Sequence, residues 1–181
     1  MLNRLLCLML IMSMSPTYWE DLSEDAQRQV LLSLDGHDIL FNAYYEPSSI
    51  QDDGRLDLFL ERVLAPDSME EVLALKFYLL NQICICADGA IAEALPVTVI
   101  QFVFRHPHYV LSYLRDRSDL RSEYAFMVAS ELIYMSKGLS AVPFSEKLFI
   151  QRIMQECNCQ EESRFIDDVI RLKNQLEDND M

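Results

Sequence analysis

Leu22, Ala26, Val30, Leu31 and Leu34 recur at steps of three and four residues, which places them on one face of an α-helix that Gly36 ends. After a mixed stretch from His37 to Tyr45, the residues Pro47, Ser48, Ser49, Asp52, Asp53 and Gly54 predict a loop within the same domain. Leu56, Phe59, Leu60, Val63 and Leu64 form a second stripe, broken at Pro66. Ser68 and Glu71 have the spacing of a capping box, in which hydroxyl and carboxylate each satisfy the other's backbone amide. The helix they open runs to about Ala87, before Gly89, and is apolar on nearly every face: Val72, Leu75, Phe77, Leu80 and Ile83 point in different directions. Such a helix belongs in the centre of a fold.

Val97 to Phe104 reads VTVIQFVF, a composition that suits a strand. With no second strand to pair with, and with Pro96 suited to a first helical position, the segment is expected to be helical. Pro107 marks a break before a short helix over Tyr109 to Leu114. Leu120, Tyr124, Met127, Val128, Leu132 and Met135 then make a stripe that stops at Gly138. Pro143 is expected to open a helix carrying Phe144, Leu148, Phe149 and Ile153, and Phe165, Ile166, Val169, Leu172 and Leu176 define the last one. The pattern predicts an all-α single domain over 16–181, with about seven or eight helices in a bundle or in stacked antiparallel helix pairs. No internal repeat of fixed period stands out.

Composition strengthens this picture. Of 181 residues, 51% are hydrophobic, and four glycines with six prolines leave few places for the chain to turn, which argues for long elements and against a turn-rich sandwich. Charge narrows the partners. Twenty-nine acidic residues against fifteen basic ones give a net charge of −14, a field that repels phosphate backbones and anionic lipid headgroups. Nucleic acid is therefore not the expected partner, whereas a basic protein would be steered towards such a surface.

The amino terminus reads MLNRLLCLMLIMSMS: Arg4, an apolar run from Leu5 to Met12, then small residues at Ser13 and Ser15. That order predicts a secretory signal peptide over 1–15, and the run is too short for a stable membrane span of about 20 residues. The expected location is secreted or periplasmic, with the cytoplasm as the alternative. Removal of the leader would take Cys7 with it and leave Cys84, Cys86, Cys157 and Cys159, an even set that fits disulfides in an oxidising compartment. A four-thiolate zinc site competes, although one intervening residue within each pair is tighter than structural zinc sites use.

Candidate chemistry is sparse. No nucleophile elbow, HExxH pair or phosphate-cradling glycine loop occurs, so no enzyme activity and no cofactor is expected. His106 and His108 could share a metal, but the sequence suggests no further ligand, and His106 before Pro107 suits a helix junction. His37 and Asp38 read as a turn. Tyr18, Trp19, Tyr44 and Tyr45, with Asp52 and Asp53 nearby, combine aromatic anchors with carboxylates, as an interface for a basic protein would. The same rings could instead cover one end of the core. The function expected is a non-enzymatic protein-binding domain, for example an immunity or inhibitor protein. A metal-binding protein using His106, His108 or the cysteine pairs is a second reading, and a carrier of a small hydrophobic ligand between helices is a third.

Overall fold

The computed structural model describes residues 16–47, 50, 53–86, 89–157 and 160–179; the leader expected over 1–15, Asp52 and Cys159 lie outside them. Among the described residues the chain is all-α, with nine α-helices and no strand. A 3-10 turn at Trp19–Asp21 leads into α1 (Glu24–Ser33), α2 (Ile39–Tyr45), α3 (Asp53–Leu64), α4 (Glu70–Cys86) and α5 (Gly89–Arg105). Then follow α6 (Pro107–Leu114), α7 (Ser118–Ser136), α8 (Glu146–Glu156) and α9 (Gln160–Asn179). None of these helices is long and apolar enough to cross a membrane.

Several helix starts differ from the pattern reading, most of them for a local reason and one through tertiary packing. Residues 37–45, mixed in hydropathy, include α2, a helix of seven residues whose start is fixed when the Asp38 carboxylate accepts the Leu40 amide at 2.9 Å. Ser68 does not cap α4. The Met69 carbonyl accepts the first intrahelical bond, from the Leu73 amide at 3.3 Å, so Met69 holds the capping position and Ser68 lies outside. Pro96 does not open α5 but sits inside it. Leu95, Val99 and Phe102 are buried, and partly buried Ile91 continues their face upstream, so the helix gains core contact on both sides of the proline. That burial offsets a penalty of about 3 kcal/mol for a proline in a helix interior. Past Pro143, α8 begins only at Glu146, where the Ser145 hydroxyl accepts the Leu148 amide at 3.3 Å.

Gly138 stops α7 as its position implies. Its φ of +71° lets its amide reach the Met135 carbonyl at 3.1 Å, while the Leu139 amide reaches Tyr134 at 2.9 Å. The chain can then reverse, and α9 packs along α7, which in turn packs on α5. The other side of α5 meets α3, and α4 lies against the 3-10 turn, α1, α2 and α3.

Phe77 of α4 joins these groups. Its ring stacks on Phe102 of α5 at 5.5 Å and 10°, and meets Tyr109 and Tyr113 of α6 and Tyr124 of α7 edge-on at 5.4, 4.9 and 6.1 Å. Offset and edge-to-face geometries are the favourable ones for aromatic quadrupoles. One buried ring on α4 therefore touches three other helices. Phe77→Ala is expected to lower unfolding free energy by about 3–5 kcal/mol in urea titrations, against a much smaller loss for a truncation at exposed Phe126.

Candidate functional site

Segment 17–20 is tied to α6. The Tyr109 hydroxyl donates to the Thr17 carbonyl at 2.8 Å, the Tyr18 hydroxyl donates back to the Tyr109 carbonyl at 3.3 Å, and Tyr113 donates to the Glu20 carboxylate at 2.6 Å. The Tyr18 ring packs edge-on against Tyr109 and Tyr113 at 5.0 and 4.8 Å, so Tyr18 stands apart from the other three predicted anchors. Trp19, pinned between these bonds and the Gln27 side chain that donates to its carbonyl, is 2% exposed. Its indole lies 5.6 Å from Tyr44 and 6.3 Å from Tyr78 of α4.

Trp19, Tyr44 and Tyr45 thus form one aromatic row running outward from the core. Tyr44 is half-buried and meets Tyr45 edge-on at 5.2 Å and 88°; Tyr45 also lies 4.9 Å from Phe41 one turn back. Tyr45 is 63% exposed. Of the four rings named from sequence, it alone faces solvent, and Glu46 beside it is exposed as well. Asp53 is the first residue of α3, on the connection that leaves this end of α2.

Behind α2 lies a network that the pattern of hydropathy did not reveal. Asp38, already capping α2, accepts from Arg62 Nε of α3 at 3.1 Å. Arg62 Nη1 donates at 2.9 Å to Asp67, in the α3–α4 connection, and Asp67 pairs with Lys76 Nζ of α4. Lys76 is 1% exposed, and its ammonium also donates to the Ala65 carbonyl at 2.5 Å. Two acids and two bases balance, as buried charge requires. Burial pulls the Lys76 ammonium below its ordinary range, with Asp67 opposing; the Asp67 carboxyl is resisted by its own burial, yet bonds from Arg62 and Lys76 hold it below the usual carboxylate range. This network fixes the N-terminal end of α2, and hence the helix that carries Tyr45.

The cysteine expectation is corrected at Cys84. It is a thiol in no disulfide, and Cys84 and Cys157 are not joined to each other. Helical geometry is one reason, since neighbours two apart on α4 diverge by about 200°. Packing is the other: Cys84 shares the hydroxyl of Tyr124, which donates to Asn81 Oδ1 at 2.6 Å in the interior. Burial pushes this thiol up to about 12. Cys86 is the last residue of α4, and Cys157 is the half-buried residue that follows α8.

His106 is half-buried and forms the junction between α5 and α6, without capping through its side chain; His108 is exposed on the first turn of α6. Among the described residues no three His, Cys, Asp or Glu side chains converge as a metal site would need. Comparison with protein-family models, with curated proteins and with solved structures finds no match to the chain.

Two outcomes follow from this geometry. Asp67→Asn should cost about 3 kcal/mol by leaving Lys76 buried without its counter-charge, and Asp67→Asn with Lys76→Met should recover much of that loss in the same urea titration. A double variant as unstable as the single one would contradict the ion-pair account. With its thiol raised to about 12, folded Cys84 should not react with a disulfide reagent at pH 8. Cys84→Ala should accordingly lower the thiol count of the denatured chain and leave the native count unchanged.

Proposed function

We propose that this chain is a non-enzymatic protein-binding domain that presents Tyr45, at the exposed end of α2, to a basic protein partner. One observation carries the reading: Tyr45 is 63% exposed, yet its ring packs against Phe41 and Tyr44. A ring already packed on neighbours has less freedom to lose on binding, and tyrosine contributes a large apolar face with a polar tip. Tyr and Trp lead the residue types that dominate binding energy at interfaces.

Charge supplies the chemistry of the partner. A net charge of −14 steers cations, and Glu46 follows Tyr45 directly in the chain. An inhibitor or immunity protein that covers a basic surface is the concrete form of this reading. It requires no reaction at the chain's own side chains.

Copurification from the source cells, followed by titration of the recovered partner, tests it. Tyr45→Ala should weaken binding at least tenfold, about 1.4 kcal/mol, while leaving the thermal midpoint unchanged. Affinity should also fall as salt rises from low to physiological concentration. A partner whose affinity ignores both Tyr45 and salt would refute the proposal.

A further inference from the structure

The α3–α4 connection and the end of α5 enclose a cleft of about 400 Å³, open to solvent and within the size range of small-molecule sites. Its walls divide by chemistry. Leu64, Met69 and Leu73 contribute apolar surface, while Lys76, Arg105 and His106 contribute nitrogen. Two carboxylates also line it, and both are engaged: Asp67 with Arg62 and Lys76, and Glu70 with the Thr17 amide at 3.4 Å.

The cations differ in how they are satisfied. Lys76 is neutralised by Asp67. Arg105 donates through Nη1 to the Leu64 carbonyl, a neutral acceptor, and forms no ion pair with a carboxylate among the described residues. His106 beside it packs its ring 5.0 Å from Phe102, and neither imidazole nitrogen has a hydrogen-bond partner among the described residues. After burial, the charges that hold the imidazole below its ordinary range are Lys76 and Arg105, both positive. In a chain of charge −14 this cleft is locally balanced, two cations against two carboxylates, and Arg105 is the cation without a carboxylate partner among the described residues.

We propose that this cleft binds a small monocarboxylate with an apolar body, its carboxylate on the Arg105 guanidinium and the His106 imidazole and its chain against Leu64, Met69 and Leu73. A planar guanidinium matches carboxylate geometry and offers further donors beyond the one given to Leu64. One guanidinium without a carboxylate partner, in a cleft whose two cations and two carboxylates otherwise balance, calls for at most a single negative charge, which is why a carboxylate fits better than a phosphate dianion. The apolar wall, left wet in the absence of a ligand, gains by covering about 25 cal/mol for each Å² removed from water.

The proposal is tested on the full chain with hexanoate as the probe and hexanol, hexylammonium and inorganic phosphate as controls. Binding is read by the His106 ring and Met69 methyl resonances. Hexanoate should shift both saturably and bind at least tenfold more tightly than hexanol, hexylammonium or phosphate. Arg105→Gln should weaken hexanoate about tenfold, and Arg105→Lys should restore part of that loss, which separates loss of charge from loss of fold. Equal affinity for hexanol, tighter binding of phosphate, or hexanoate shifts that leave His106 and Met69 unmoved would each overturn it.

Discussion

Lys76 sets an ammonium in the interior on a largely apolar helix, and the protein is arranged so that this charge can exist there. An isolated ion in the interior would cost several kcal/mol even after relaxation. Asp67 and the Ala65 carbonyl therefore have to be brought to it, which fixes how the chain leaves α3 and enters α4. Arg62 then shares Asp67, and Asp38 shares Arg62, so the requirement set by one side chain passes through three elements to the start of α2. A hydrophobic pair at 67 and 76 could supply equal stability. It would not specify the geometry in the same way, because apolar contacts tolerate sliding where a directed ion pair does not.

The aromatic system on the other side of α4 is complementary. Phe77 directly follows Lys76 and faces α5, α6 and α7 while the lysine faces the α3–α4 connection. Adjacent helical positions diverge by about 100°, so one turn of α4 can anchor two different sets of neighbours. The outer helices are held more conventionally, through apolar stripes and partly exposed ion pairs such as Arg121–Asp168 at 3.3 Å and Lys173–Glu146 at 2.9 Å. Exposed pairs of this kind contribute at most about 1 kcal/mol each, and α9 depends mainly on Phe165, Ile166 and Val169.

What could be read in the sequence was whatever repeats locally. The stripes of α1, α3, α7 and α9, the all-round apolarity of α4 and the stop at Gly138 depend on residues three to five apart, and a linear pattern displays them. α2 has only seven residues, too few to establish a period, and Asp38 is its one signal. Pro96 misled because the weight of its penalty depends on how much surface Ile91 and Leu95 bury, which only tertiary packing decides. The burial of Trp19 follows from bonds spanning more than ninety residues to Tyr109 and Tyr113. At the candidate site the Tyr44–Tyr45 pair was visible as an aromatic cluster beside acid. That Tyr45 faces solvent and Trp19 does not was invisible, as was the approach of Arg105 to Leu64 across 41 positions.

The buried position of Trp19 also makes the molecule self-reporting. It is the only tryptophan of the chain, so selectively excited fluorescence arises from one point: the seam where the amino-terminal turn, α2 and α4 meet. Tyr44 stands between that indole and the exposed ring of Tyr45. A molecule settling on Tyr45 would act on the emitter through a single intervening ring, whereas loosening of α9 at the far side would leave the signal dark to it. Fluorescence would then watch one seam while circular dichroism watched every helix, and their disagreement during unfolding would show whether that seam opens before or after the rest.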